Sequence, residues 1–105
     1  MTKLRDNPSL RDIQEYILKG GVELGFDKLN AIQRCLMLGE EVGELFKSIR
    51  NHENIKIDKN ARTDTIENEL ADVLKQVCAI ANYFNIDLEK AFKQKEEKDF
   101  GRSWK

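Results

Sequence analysis

A chain of 105 residues, 40% apolar and 35% charged, fits one domain and is too apolar to stay disordered. Lys+Arg 18 against Asp+Glu 19 leaves a net charge of -1, so there is no basic field to drive non-specific nucleic-acid binding. No apolar run approaches the roughly 18–20 residues that span a bilayer, and Met1 to Asp6 lacks a signal-peptide core. The expected setting is cytoplasmic, with no membrane and no nucleic-acid partner.

Apolar residues recur at helical spacing and no alternating β-branched run is present, so the periodicity predicts an all-α, four-helix, bundle-like domain spanning 1–105. Asn7-Pro8 reads as a helix start, Asn as N-cap and Pro at the first position. Leu10, Ile13, Tyr16 and Ile17 follow, until Gly20-Gly21 interrupts or ends that helix. Gly25-Phe26-Asp27 makes a loop. The second helix runs from about Asn30 to Arg50. Its stripe is Ile32, Cys35, Leu38, Val42, Leu45 and Ile49, widened by Leu36 and Phe46. The polar stretch 51–60 connects it to a third helix, which starts at Asp64 and Glu67, a variant capping box, and runs to about Phe84. Asp87 caps a fourth helix carrying Leu88, Ala91 and Phe92; residues 93–105 read as a charged, frayed tail. Cys35 and Cys78 fall on apolar faces and are expected as free thiols. So short a chain buries a modest core, which favours assembly as an oligomer.

The stretch Leu38-Gly39-Glu40-Glu41-Val42-Gly43-Glu44-Leu45 places three acids inside a core-facing helix. Like charges three or four apart repel, and carboxylates beside an apolar seam resist ionisation. On a helical wheel Glu41 and Glu44 lie about 80° and 140° off the stripe, on one shoulder. Glu69 and Asp72 on the third helix occupy the matching shoulder. Either pair alone reads as a solvated face, eased by Lys47 or Lys75. Two matching pairs on consecutive antiparallel helices read as a convergent hard-cation site, suited to Mg²⁺ with Mn²⁺ as the alternative. One His and two widely spaced Cys give no zinc pattern. Gly39 and Gly43 cost helix stability and leave room for a close neighbour.

Glu40-Glu41-Val42-Gly43-Glu44-Leu45 followed by Glu69-Leu70-Ala71-Asp72-Val73-Leu74 resembles the EExxE…ExxD signature of the MazG-like all-α nucleoside triphosphate pyrophosphohydrolases. The likeness continues through Asn85-Ile86-Asp87-Leu88-Glu89-Lys90-Ala91 and into the tail, where the family often shows KxxxNxxRxW. The resemblance implies a MazG-type fold and Mg²⁺-dependent cleavage of a (deoxy)nucleoside triphosphate to the monophosphate and pyrophosphate. It implies Glu41, Glu44, Glu69 and Asp72 as metal ligands, with Glu40, or Glu41 itself, acting on the attacking water. Lys95, Asp99, Arg102 and Trp104 would meet the substrate, Gln76 would stand near the base, and the protein would be a homodimer or homotetramer.

Asp99 stands where the family usually has Asn, Phe26-Asp27-Lys28 where many relatives carry Trp or His, and Gln76 where some carry an aromatic. Base recognition is therefore expected to differ, with Phe26, Asn30, Gln76, Asn82 and Trp104 as its candidates. Three rival readings stand beside this one. Phosphoribosyl-ATP pyrophosphohydrolase shares the chemistry, although the EVGEL and DLEKA context favours the MazG-like branch. A non-catalytic helical interaction module would retain the acidic groove. A carboxylate metal-storage or redox protein is weakened by the missing Glu-x-x-His ligands.

Overall fold

The computed structural model describes residues 2–55 and 63–101. These form α1 (Leu10–Glu23), a short 3₁₀ turn (Phe26–Lys28), α2 (Ala31–His52), α3 (Ile66–Tyr83) and α4 (Leu88–Phe100). No strand occurs among the described residues, so the fold is all-α as the periodicity implies. The largest packing surface joins α2 to α3; α1 lies on α3, and α4 on α1. Near the end of α2, the Ser48 hydroxyl donates to the Asp64 carbonyl and Asn51 Nδ2 donates to Thr63 Oγ1 at 3.1 Å. At its start, Arg34 lies over the Tyr83 ring at the end of α3. The two long helices are therefore antiparallel.

Local chemistry moves several boundaries from their expected places. Asn7 is left-handed (φ 50) and cannot enter a helix, so the cap falls to Ser9. Ser9 Oγ accepts from Asp12 N at 3.1 Å while the Asp12 carboxylate accepts from Ser9 N at 3.0 Å. Gly20-Gly21 does not break α1, because docking on α3 outweighs the propensity cost. Thr65, not Asp64, is the N-cap of α3; Asp64 sits one residue outside and accepts from Thr65 N and Asn68 Nδ2. α2 continues through Asn51 and His52 until left-handed Asn54 lets Ile55 N–H reach back to the Arg50 carbonyl. The supposed frayed tail is helical as far as Phe100, supported by a Lys95–Asp99 ion pair one turn apart, 2.7 Å. The caps at Asn30 and Asp87 fall where expected.

One polar clamp fixes α1 to the α3–α4 corner. Buried Gln14 donates from Nε2 to Asn82 Oδ1 (3.0 Å) and to the Ile86 carbonyl, and accepts from Leu88 N–H (3.0 Å). Asn82 Nδ2 donates back to the Gln14 carbonyl at 2.9 Å. Beside it, Arg11 pairs with Asp87 at 2.8 Å and Glu89 at 3.4 Å.

The apolar core within the chain is small. Cys78 and Ala81 are the buried apolar residues among those described. The broad stripe of α2 splits into two faces: Leu38, Val42 and Leu45 are half-buried, whereas Ile32, Leu36 and Phe46 are 73%, 67% and 65% exposed. Cys35, expected near-buried, lies on the exposed side, and both thiols are free.

Candidate active site

The antiparallel pairing of α2 and α3 brings the two acidic shoulders together. One carboxylate oxygen each from Glu41, Glu69 and Asp72 lie within 4.8 Å of one another. Glu44 is more exposed and outside that tight group, yet its charge acts on both Glu41 and Glu69. Burial, then the charges of Asp72, Glu44 and Glu40, push the Glu41 carboxyl above its usual range, against a small opposing pull from Lys75. Burial, then Glu44 and Asp72, push Glu69 the same way. Glu69 is only 5% exposed. Its carboxylate accepts no hydrogen bond and meets no cation among the described residues, and a buried acceptor-only group in that position costs free energy. A divalent cation bound by hard oxygen ligands fits this donor set and relieves that cost.

A cavity of about 520 Å³ lies between α1, the 3₁₀ turn, α2 and α3. Arg34 and Met37 line it from α2; Lys75, Gln76, Ala79, Asn82 and Tyr83 line it from α3. On α2, Arg34, Met37 and Glu41 share one face at helical spacing, so the acids begin one turn beyond the cavity wall. Gly20 and Gly21 form part of the opposite wall, and a Cβ at either would meet nothing within 4 Å.

The expected substrate-contacting residues are divided by this geometry. Gln76 lines the cavity, and its amide has no hydrogen-bond partner among the described residues. Phe26 and Asn82 also line it, but both Asn82 amide atoms are engaged with Gln14. Asn30 is instead the cap of α2, bonded reciprocally to Gln33. Lys95 and Asp99 are paired with each other on α4, which packs on α1, and neither is grouped with the acids among the described residues. Arg102 and Trp104 lie outside the described residues. Lys75 and Arg34 are cavity-lining cations that the sequence does not mark as substrate contacts.

The family model described as "MazG nucleotide pyrophosphohydrolase domain" matches residues 30–103, more than half of the chain. Among solved structures, iMazG from Vibrio DAT 722 is 31% identical, with a TM-score of 0.65 over 87% of this chain and 93% of that one. YPJD from Bacillus subtilis, titled a candidate pyrophosphatase, is 24% identical, with a TM-score of 0.81 over 94% of this chain and 100% of that one. The latter likeness is one of fold. Comparison with curated proteins finds no match.

Proposed function

The chain belongs to the MazG family of nucleotide pyrophosphohydrolases, and we propose that it cleaves (d)NTPs to (d)NMPs and pyrophosphate with Mg²⁺, cleaning the nucleotide pool of the cytoplasm. The observation that carries this reading is the acidic cluster on α2 and α3, one helical turn beyond Met37 and Lys75 in the wall of a nucleotide-sized cavity. Glu41, Glu69 and Asp72 would hold the ion, with Glu44 completing the set from the edge. Bound there, a divalent ion supplies charge neutralisation at the phosphates and activation of water.

The protein's own groups do the rest. The cavity takes up the nucleoside and excludes water around it. Lys75, at the junction of cavity and acids, offers its ammonium to the phosphates as a point charge. Glu40, exposed beside Glu41 and acting on its charge, would be the carboxylate that takes a proton from the attacking water. Lys95 and Asp99 have a part in this scheme only if a neighbouring copy carries them to the site. We further propose that a second copy covers the exposed face of α2, making the working form a homodimer or a tetramer built from one.

The test is pyrophosphate release from a dNTP panel with Mg²⁺. Glu41→Gln and Asp72→Asn should each abolish turnover while circular dichroism shows the helices intact. Orthophosphate release in place of pyrophosphate, full activity in both variants, or no turnover with either Mg²⁺ or Mn²⁺ would overturn the proposal.

A further inference from the structure

Arg34 is a half-buried cation with no carboxylate partner among the described residues. Its Nε donates to the Leu29 carbonyl at 3.3 Å and its Nη2 to the Phe26 carbonyl at 2.9 Å. Its guanidinium carbon lies 5.6 Å from the centroid of the Tyr83 ring. Arg34 stands in the first turn of α2, and long helical side chains point back toward the N-terminus, which explains how it reaches the preceding turn. Three elements are thereby joined at one end of the cavity: the 3₁₀ turn, α2 and the last turn of α3. Two of the five N–H groups are used; Nη1 has no partner among the described residues, and Arg34 lines the cavity.

Position decides what that free edge can meet. From Arg34 to Glu41 is two turns of α2, about 10.5 Å along the axis. The acids are where the phosphates are placed, so Arg34 lies at the far end, where a nucleoside would carry its base. Resting on the reading of this cavity as a nucleotide site, we propose that Arg34 is a specificity residue that reads a carbonyl on the nucleobase. A guanidinium only donates. Guanine, cytosine, uracil and thymine each present a ring carbonyl, whereas adenine presents ring nitrogens and an amine. The backbone carbonyls of Phe26 and Leu29 and the face of Tyr83 hold the fork in place before substrate arrives, so little ordering remains to be done on binding.

The experiment is steady-state hydrolysis of ATP, GTP, CTP and UTP by the full chain with Mg²⁺. In Arg34→Met, kcat/KM for the carbonyl-bearing nucleotides relative to ATP should fall about ten- to hundredfold, the range for a lost charge-assisted hydrogen bond. The fall should lie in KM with kcat retained. Arg34→Lys keeps the charge over Tyr83 but not the planar fork, so it should recover melting temperature without recovering the ratio. An unchanged ratio, or a loss shared equally by ATP, overturns the proposal; the second outcome would mean a wall residue or a phosphate contact. Kd values for non-hydrolysable analogues of the same nucleotides decide the point independently of turnover. A wild-type protein that hydrolyses none of them refutes the hydrolase reading, while the pattern of Kd values still rules on Arg34.

Discussion

Replacing Gly39 and Gly43 together by alanine distinguishes a solvated outer face of α2 from a covered one. Within the chain, a Cβ at either position meets nothing within 4 Å. Each replacement in a helix interior gains about 1 kcal/mol, so a solvated α2 should become about 2 kcal/mol more stable. For a domain of this size that is a rise of about 8–16 °C in Tm. The glycines, however, lie in the stripe Ile32, Leu36, Gly39, Gly43, Phe46, spaced four and three apart, the repeat that keeps a seam turned toward another helix. The chain exposes 8462 Å², about 2,400 Å² more than the roughly 6,060 Å² expected for a folded monomer of 12.2 kDa. Its radius of gyration, 16.6 Å, exceeds the roughly 13 Å of a closed domain of this length. Both excesses are what a protomer of a large, obligate interface should show. We therefore expect the opposite of the solvated result. The two methyl groups should hold a partner helix away from the bare backbone, weaken association at least tenfold, and lower Tm below the wild type's at the same protein concentration. Sedimentation and thermal melts across a concentration series measure both effects. A variant as fully associated as the wild type and about 2 kcal/mol more stable would refute the seam.

Two further predictions concern the acids and the clamp. Glu41 and Glu69 have carboxyl pKa values raised above the ordinary 4.5, by burial first and neighbouring acids second. Their contribution to stability is full below about 4.5 and declines as pH rises through their folded values, so metal-free protein should weaken over that window. Glu69→Gln should flatten the decline in urea melts, and Mg²⁺ should oppose it; an unchanged slope in the variant counts against the cluster. Asp12, Asp64 and Asp87 behave in the reverse sense. Hydrogen bonds from Ser9, Asn68 and Lys90 respectively hold them below 3.8, so their contribution is present above that value and disappears on acidification. Gln14→Leu strips partners from Asn82, the Ile86 carbonyl and the Leu88 N–H, three groups at about 1 kcal/mol or more each. It should cost about 3 kcal/mol, seen as a lower urea midpoint with an unchanged slope; a near-neutral change would show that water replaces the clamp.

The acidic cluster was legible because helical spacing alone places Glu41 and Glu44 on one shoulder and Glu69 and Asp72 on another. Antiparallel pairing of consecutive helices then joins the shoulders. The cavity was not legible. It is made by α1 lying on α3, and nothing in the local pattern of either helix encodes that crossing. Arg34 gave no signal, because its partners are backbone carbonyls and a tyrosine 49 positions later in the chain. Gln14 did leave one: it stands among Leu10, Ile13 and Ile17 on the apolar face of α1, where a polar group must find partners. The helix starts at Ser9 and Thr65 were missed by one or two residues because neighbouring Asn7 and Asp64 are equally good caps by type. Left-handed backbone at Asn7 decided the first case, and the bond from Asn68 N–H to Thr65 Oγ1 the second.

Charge sets the remaining constraint on how the site works. A nucleoside triphosphate is a polyanion, and the wall it would approach carries Glu41, Glu69 and Asp72 with Glu44 and Glu40 beside them. Among the described residues, the cations lining the cavity are Lys75 and Arg34. Arg34 lies two turns from the acids with part of its fork already committed to carbonyls. Lys75 alone cannot offset both the acids and the phosphates. The missing positive charge must come from ions held by the acids, from residues beyond those described, or from a second copy placed against α2. The first source predicts that substrate affinity follows divalent-ion concentration, and the last that it follows protein association. Measuring nucleotide Kd against Mg²⁺ in the wild type and in Gly39→Ala/Gly43→Ala separates them. Loss of binding in the variant at saturating Mg²⁺ would assign the deficit to the partner, whereas unchanged binding would leave it to the ion.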